Sequence, residues 1–120
     1  MDYVKIFDEF VKNYNTNVAD PTLAGEVLAK LSQHYATYNS LMVNAGRKMS
    51  LVARDIELRT DEASGKPISS ARAKVLVDAT DEMFEYEKAK SHVQNIEQLI
   101  NSLKTIAKLI TNEYHVMGNI

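Results

Sequence analysis

The fold is decided by residues 70–117, which read SARAKVLVDATDEMFEYEKAKSHVQNIEQLINSLKTIAKLITNEYHVM. Apolar residues recur there at alternating steps of three and four, the spacing of a heptad seam on a helix. The seam consists of Val75, Ala79, Glu82, Tyr86, Ala89, Val93, Ile96, Ile100, Leu103, Ala107, Ile110, Tyr114 and Met117. Glu82 is the one charged residue of this seam. In coiled coils a charged seam residue fixes the register of the helices or the choice of partner helix. The pattern predicts one helix over about 70–117, beginning at a cap on Ser69 or Ser70 and ending at Gly118 and Asn119.

A second heptad seam predicts a helix over residues 21–59. It consists of Leu28, Leu31, Tyr35, Tyr38, Met42, Ala45, Met49, Val52 and Ile56. Asp20 and Pro21 form a strong helix start, because aspartate accepts from free backbone N–H groups and proline at the first helical position loses no hydrogen bond. Gly46 lies inside this helix, where glycine costs about 1 kcal/mol relative to alanine. We therefore expect a close helix contact or a bend at Gly46.

Residues 60–68 are predicted to form the loop between the two long helices. The run TDEASGKP gathers acids, serine, glycine and proline, which are turn-forming residues. Before the second helix, residues 2–14 carry apolar side chains at helical spacing, which predicts a short amphipathic helix capped by Asp2. These side chains are Val4, Phe7, Phe10, Val11 and Tyr14.

Two long helices joined by a short loop fold back on each other, so the predicted fold is all-α. We expect a long antiparallel, coiled-coil-like hairpin with a short N-terminal helix, in a single helical domain over residues 1–120. In the expected register Tyr38 faces Ala89 and Met49 faces Ala79, which sets large side chains against small ones.

Beyond its seam, the distal part of the hairpin carries more apolar residues than two helices can cover. Such a patch marks an interaction site in a protein that dissolves in water. The predicted oligomer interface is Ala73, Val77, Thr80, Phe84, Leu51 and Leu58. We expect self-association through it, most simply a dimer that completes a four-helix bundle.

Composition narrows the functional classes. The 14 basic and 16 acidic residues give a formal charge of −2, so no global charge draws the chain to nucleic acid or to an anionic membrane. The chain has no cysteine, which fits a reducing compartment. No apolar run is long enough for a signal peptide or a membrane span. We expect a cytoplasmic protein with no membrane partner.

No motif with catalytic or cofactor-binding spacing is present, so we expect no enzyme, no cofactor and no metal site. His34, His92 and His115 lack the Glu-x-x-His spacing of helical metal sites. The acids Asp81, Glu82, Glu85 and Glu87 are interpreted as a solvated face, with Glu82 pairing to Lys48 or Arg47.

Basic residues accumulate near the hairpin tip and supply the candidate nucleic-acid contacts, which are Arg47, Lys48, Arg54, Arg59, Lys66, Arg72 and Lys74. They support an alternative function, that of a nucleic-acid accessory module.

Residues 70–104, with the entry SARAKV and the continuation DEMFEYEKAKSHVQNIEQLINSLK, resemble the C-terminal helix of small all-helical accessory proteins of tailed-phage recombination and replication gene clusters. The resemblance implies an accessory protein that contacts other proteins or DNA, in the host cytoplasm if it is phage-encoded. The sequence thus favours a non-enzymatic protein–protein interaction protein. Inhibition of a host enzyme is a third hypothesis for the function.

Overall fold

The computed structural model describes residues 2–15 and 21–118, with side chains through Asn112. Within these ranges the chain forms four helices, α1 (Tyr3–Asn15), α2 (Pro21–Glu57), α3 (Ser70–Asp78) and α4 (Asp81–Gly118). The described residues contain no strand, and Thr60 and Pro67 form an isolated antiparallel bridge. The predicted all-α helical hairpin is therefore confirmed.

The helix ends follow from side-chain caps. The Asp2 Oδ1 atom accepts from the Val4 backbone N–H at 2.9 Å, and the Ser69 Oγ atom accepts from the Arg72 N–H at 3.2 Å. Both bonds satisfy backbone donors that have no partner inside the first turn. The predicted caps of α1 and α3 are confirmed, whereas the predicted cap Asp20 lies outside the described residues.

The prediction of one continuous helix over 70–117 is wrong, because the helix is interrupted at Ala79 and Thr80. Thr80 donates its hydroxyl to the Val77 carbonyl at 2.7 Å, and the same oxygen accepts from the Met83 N–H at 3.2 Å. The Thr80 N–H also donates to the Val77 carbonyl, at 3.1 Å. Threonine therefore closes α3 and caps α4, an alternative to the helical backbone bonds that short polar side chains offer.

The loop of residues 58–69 is held by its own backbone. The Asp61 N–H donates to the Lys66 carbonyl at 2.7 Å, and the Ile68 N–H donates to the Arg59 carbonyl at 3.0 Å. Gly65 adopts φ 67°, a left-handed conformation that favours glycine. The predicted turn is present and well hydrogen-bonded.

The chain divides into two compact units, residues 1–37 with 94–120 and residues 38–93. In the first unit, α1, the start of α2 and the C-terminal part of α4 each supply buried side chains. The most deeply buried are Phe10, Leu31, Ile96, Leu103 and Ile110. Helix α1 turns Tyr3, Ile6 and Phe10 inward, so the predicted core position Val4 is 40% exposed instead. The prediction of a single domain stays a prediction.

In the unit of residues 38–93 the core is centred on Ile56, Ala73 and Val77. Partly buried residues pack around these three, namely Met49, Val52, Ala53, Ile68, Leu76 and Met83. The predicted seam fails at Val75 in α3, which is 67% exposed, and at Ala79 just after α3, which is also exposed. The interruption at Ala79 and Thr80 frees α3 to present a different face from the one that continues the α4 seam.

Helices α2 and α4 run antiparallel in this unit. The rings of Tyr38 and His92 stack with centroids 4.5 Å apart, and Gly46 lies against Tyr86. Both contacts fall within about one helical turn of the predicted register. The close contact expected at Gly46 is confirmed.

Candidate functional site

An open groove of about 580 Å³ runs between α2 and α4 within residues 38–93. Its α2 wall is formed by Tyr38, Leu41, Asn44, Ala45 and Lys48. Its α4 wall is formed by Asp81, Glu82, Glu85, Lys88, Ala89 and His92. Residues three and four apart share a helix face, so each wall is one face of one helix, next to the face that packs in the core.

The groove has an apolar floor and charged rims. Ala45 and Ala89 are small, Ala89 is buried, and the stacked rings of Tyr38 and His92 lie on its walls. Leu41 points a 50% exposed side chain into it. The arrangement suits binding of another helix.

Three of the four clustered acids meet in this groove. Asp81, Glu82 and Glu85 line it, whereas Glu87 lies on the exposed outer side of α4. The predicted ion pair of Glu82 with Lys48 or Arg47 is not formed, although Glu82 and Lys48 both line the groove. The groove therefore holds three acids and two lysines, Lys48 and Lys88, as well as His92.

The described histidines do not form a metal site. The His34 ring packs against the Tyr3 ring at 6.3 Å, and His92 stacks on Tyr38. No group of three or more potential ligands that could hold a metal ion exists among the described residues. The side chain of His115 lies outside them.

The basic residues near the tip are exposed but mixed with acids. Arg59 pairs with Asp55 at 3.2 Å. Lys48 lies in the acid-lined groove, and Lys74 lines a shallow depression together with Glu57 and Asp78. The remaining candidate nucleic-acid contacts, also exposed, are Arg47, Arg54, Lys66 and Arg72.

The predicted oligomer interface is divided by the fold. Leu51 and Phe84 are each 64% exposed and Leu58 is 77% exposed. Ala73 and Val77 are buried in the core of their own chain, so the premise that they lie free beside the hairpin is wrong. Thr80 is partly buried by its capping role. Of the six predicted interface residues, Leu51, Leu58 and Phe84 are therefore the exposed ones.

A separate polar contact lies in the unit of residues 1–37 and 94–120. The Tyr35 hydroxyl donates to Glu97 Oε1 at 3.2 Å. This hydrogen bond, and secondarily the negative charge of Glu97, raise the pKa of Tyr35 above its usual value of 10.0, because both favour the neutral phenol. The pair is exposed and serves no identifiable chemistry.

Sequence reasoning missed the groove as a unit. It singled out the acids of α4 and placed Tyr38 and Ala45 on a seam, but it did not connect them with Leu41, Lys88 and His92. A signal was present, because Asp81, Glu85, Lys88 and His92 follow steps of four, three and four residues. It was hidden beside the stronger apolar seam.

No helix in the described part of the chain combines the length and the apolar character needed to cross a lipid bilayer. A comparison with known protein families, curated proteins and solved structures found no match for this chain. The resemblance to phage accessory proteins stays a prediction, and the proposals on function rest on the geometry described above.

Proposed function

We propose that this chain is a non-enzymatic interaction protein that acts as a homo-oligomer, most simply a dimer that completes a helical bundle through residues 38–93. The observation that carries the proposal is the distribution of exposed apolar side chains. Eight large ones are exposed among the described residues, and six of them lie in this unit. These six are Leu41, Val43, Leu51, Leu58, Val75 and Phe84.

Burial within the chain supports the same proposal. In residues 38–93, several seam members of α2 remain only partly buried, among them Met42, Met49 and Val52. Two packed helices with a short third one leave a side of each helix uncovered, and bundles solve this by adding further helices. A second copy supplies them without another gene product. A reducing cytoplasm suits a chain without cysteine.

Light scattering after size exclusion tests the proposal directly. At micromolar concentration we expect a mass near 27 kDa, about twice the 13.5 kDa of one chain. Phe84→Glu should lower that mass, because it places a charge on an exposed apolar position next to the groove. Leu109→Glu is the matched control, since Leu109 is also exposed but lies outside residues 38–93. A monomer at this concentration would overturn the proposal.

Nucleic-acid binding and inhibition of a host enzyme stay predictions from the sequence, because no contact in the described residues favours either. A salt-dependent mobility shift with DNA would revive the first, since phosphate contacts weaken steeply with salt. Its loss on Arg47→Ala with Arg54→Ala, without a change in oligomer mass, would assign it to the exposed basic residues.

A further inference from the structure

We infer that the groove of residues 38–93 binds the same groove of a second copy, in an antiparallel arrangement with a two-fold axis perpendicular to α2 and α4. The inference rests on the proposed self-association and names its surface and its orientation. The binding partner of the groove is thus a second copy of this chain.

Four of the six groove residues on α4 form a set that is complementary to itself when it is reversed. Asp81, Glu85, Lys88 and His92 follow steps of four, three and four, and this spacing reads the same in both directions. In an antiparallel pair of α4 helices, Asp81 therefore lies level with His92 of the second copy. Glu85 lies level with Lys88 of the second copy. Each carboxylate therefore lies beside a basic group of the second copy, an imidazole for Asp81 and an ammonium group for Glu85. The symmetry of the dimer makes each of these pairs twice.

Four of the five groove residues on α2 form a second set that is symmetric on reversal, and this set is complementary in side-chain size instead of charge. Tyr38, Leu41, Ala45 and Lys48 follow steps of three, four and three, which again is symmetric on reversal. Leu41, 50% exposed in the single chain, then lies level with Ala45 of the second copy. A large side chain meets a small one, as interdigitating layers require. Lys48 lies level with the Tyr38 ring of the second copy, where an ammonium group is attracted to an aromatic face.

Both walls place the two-fold axis at the same level. The midpoint of the α2 set is Val43, and the midpoint of the α4 set lies between Tyr86 and Glu87. The stacked pair Tyr38 and His92 shows which residues are level in the single chain. Five residues onward along α2 reach Val43, and five or six residues back along α4 reach the other midpoint. Because both sets line one groove, they span the same level, and one axis serves both helices.

A parallel two-fold that sets α4 beside α4 is disfavoured by the same residues. A parallel two-fold pair of α4 helices sets each residue beside its own copy, so Asp81, Glu85 and Lys88 would each meet a like charge. Phe84 and Leu51 lie beside these seams, each three residues from a groove residue, Asp81 or Lys48, on its helix. In the antiparallel dimer they border the contact and shield its charged pairs from water.

Charge exchange tests the arrangement. Glu85→Lys and Lys88→Glu should each raise the dimer dissociation constant by about tenfold or more, because each creates two like-charge contacts per dimer. The double exchange, Glu85→Lys with Lys88→Glu, should restore dimerisation. An equimolar mixture of the two single variants should form heterodimers, since their charges are then complementary. Glu87→Lys and Lys108→Glu are matched controls with the same charge changes at exposed positions away from the groove, and they should change nothing.

Spin labels test the orientation. The chain contains no cysteine, so single cysteines at Glu87 and at Gln98 can be labelled specifically. In the antiparallel dimer the two labels at position 87 lie level with the axis, so only the width of the dimer separates them, while those at position 98 are separated by a further distance of roughly 34 Å along the helices. Equal distances at both positions would overturn the antiparallel arrangement. A dimer that ignores the charge exchanges would overturn the groove as its interface while leaving self-association intact, and a monomer would overturn both.

Discussion

Gly46 of α2 and Tyr86 of α4 pack so closely that a Cβ atom at position 46 would lie 3.1 Å from Cε1 and 3.3 Å from Cδ1 of the tyrosine ring. Glycine is unfavourable inside a helix, and here it makes room for an aromatic side chain on the facing helix. The contact explains why this helix tolerates a glycine in its middle.

The two glycines of α2 make a matched pair for testing that contact. At Gly25 an added Cβ would meet nothing within 4 Å, so Gly25→Ala should stabilise the fold by about 0.5–1 kcal/mol through helix propensity alone. Gly46→Ala should gain less, because the Tyr86 ring must move, and Gly46→Leu should be destabilising. Urea unfolding at one fixed chain concentration measures all three. Equal gains for the two alanine variants would show that the Tyr86 contact carries no constraint.

Core and surface leucines of α4 should respond differently to truncation. Leu103 is 0% exposed, so Leu103→Ala should cost about 2–5 kcal/mol from lost burial and the cavity left behind. Leu109 is 48% exposed, and Leu109→Ala should change the free energy of unfolding by no more than about 0.5 kcal/mol. Circular dichroism during urea unfolding gives both values. A similarly small effect at the two positions would contradict the burial of Leu103 in the core of residues 1–37 and 94–120.

The Thr80 cap should be needed for stability. Thr80→Ala removes the oxygen that accepts from the Met83 N–H, and it should cost about 0.5–2 kcal/mol. Thr105→Ala is the control, because Thr105 is exposed and its hydroxyl only donates to the Asn101 carbonyl one turn earlier. There alanine should be neutral or slightly stabilising, since its helix propensity is higher. If Thr80→Ala proves as harmless as Thr105→Ala, the interruption between α3 and α4 is not held by the threonine.

The Tyr35 hydroxyl should titrate at higher pH than an ordinary tyrosine. Its pKa is raised by the hydrogen bond to Glu97 and by the charge of that carboxylate. A raised folded-state pKa means that the stabilising contribution is complete below the unfolded-state pKa near 10.0 and is lost as pH rises through the folded-state value. In Glu97→Gln the Tyr35 titration should shift to lower pH. Carbon NMR of the tyrosine ring follows the titration, and an unchanged Tyr35 midpoint would refute the pairing.

Much of the fold follows from local pattern. Every predicted seam position of α2 from Leu28 to Ile56 is buried or partly buried, and the α4 seam is buried at Ala89, Val93, Ile96, Leu103 and Ile110. Apolar residues at heptad spacing lie along one side of an α-helix. The helix and its buried side can therefore be predicted without knowing which helix packs against it. The predicted loop and the caps Asp2 and Ser69 are equally local, because each depends on a few neighbouring residues.

The candidate site was less accessible from the sequence. The sequence shows the cluster of acids in α4, but their role depends on which face of α2 lies beside them. The apolar pattern specifies which residues form the seam. It does not specify which α2 residues lie beside the positions next to the seam. The predicted interface failed at Ala73 and Val77 for the same reason, since their burial against Ile56 depends on how α3 turns after its own cap.

The sequence by itself determined that the chain is helical, where its long helices lie, and that they pair through heptad seams, because side-chain periodicity and capping act over a few residues. Only the tertiary structure decided that the stretch 70–117 breaks at Thr80. Heptad spacing does not reveal a side-chain cap inside the pattern, and there the Thr80 hydroxyl closes α3 and caps α4 while Ala73 and Val77 pack with Ile56. The tertiary structure also decided that Tyr38, Leu41, Ala45 and Lys48 share a groove with the charged face of α4, since that requires two helices distant in sequence to lie side by side.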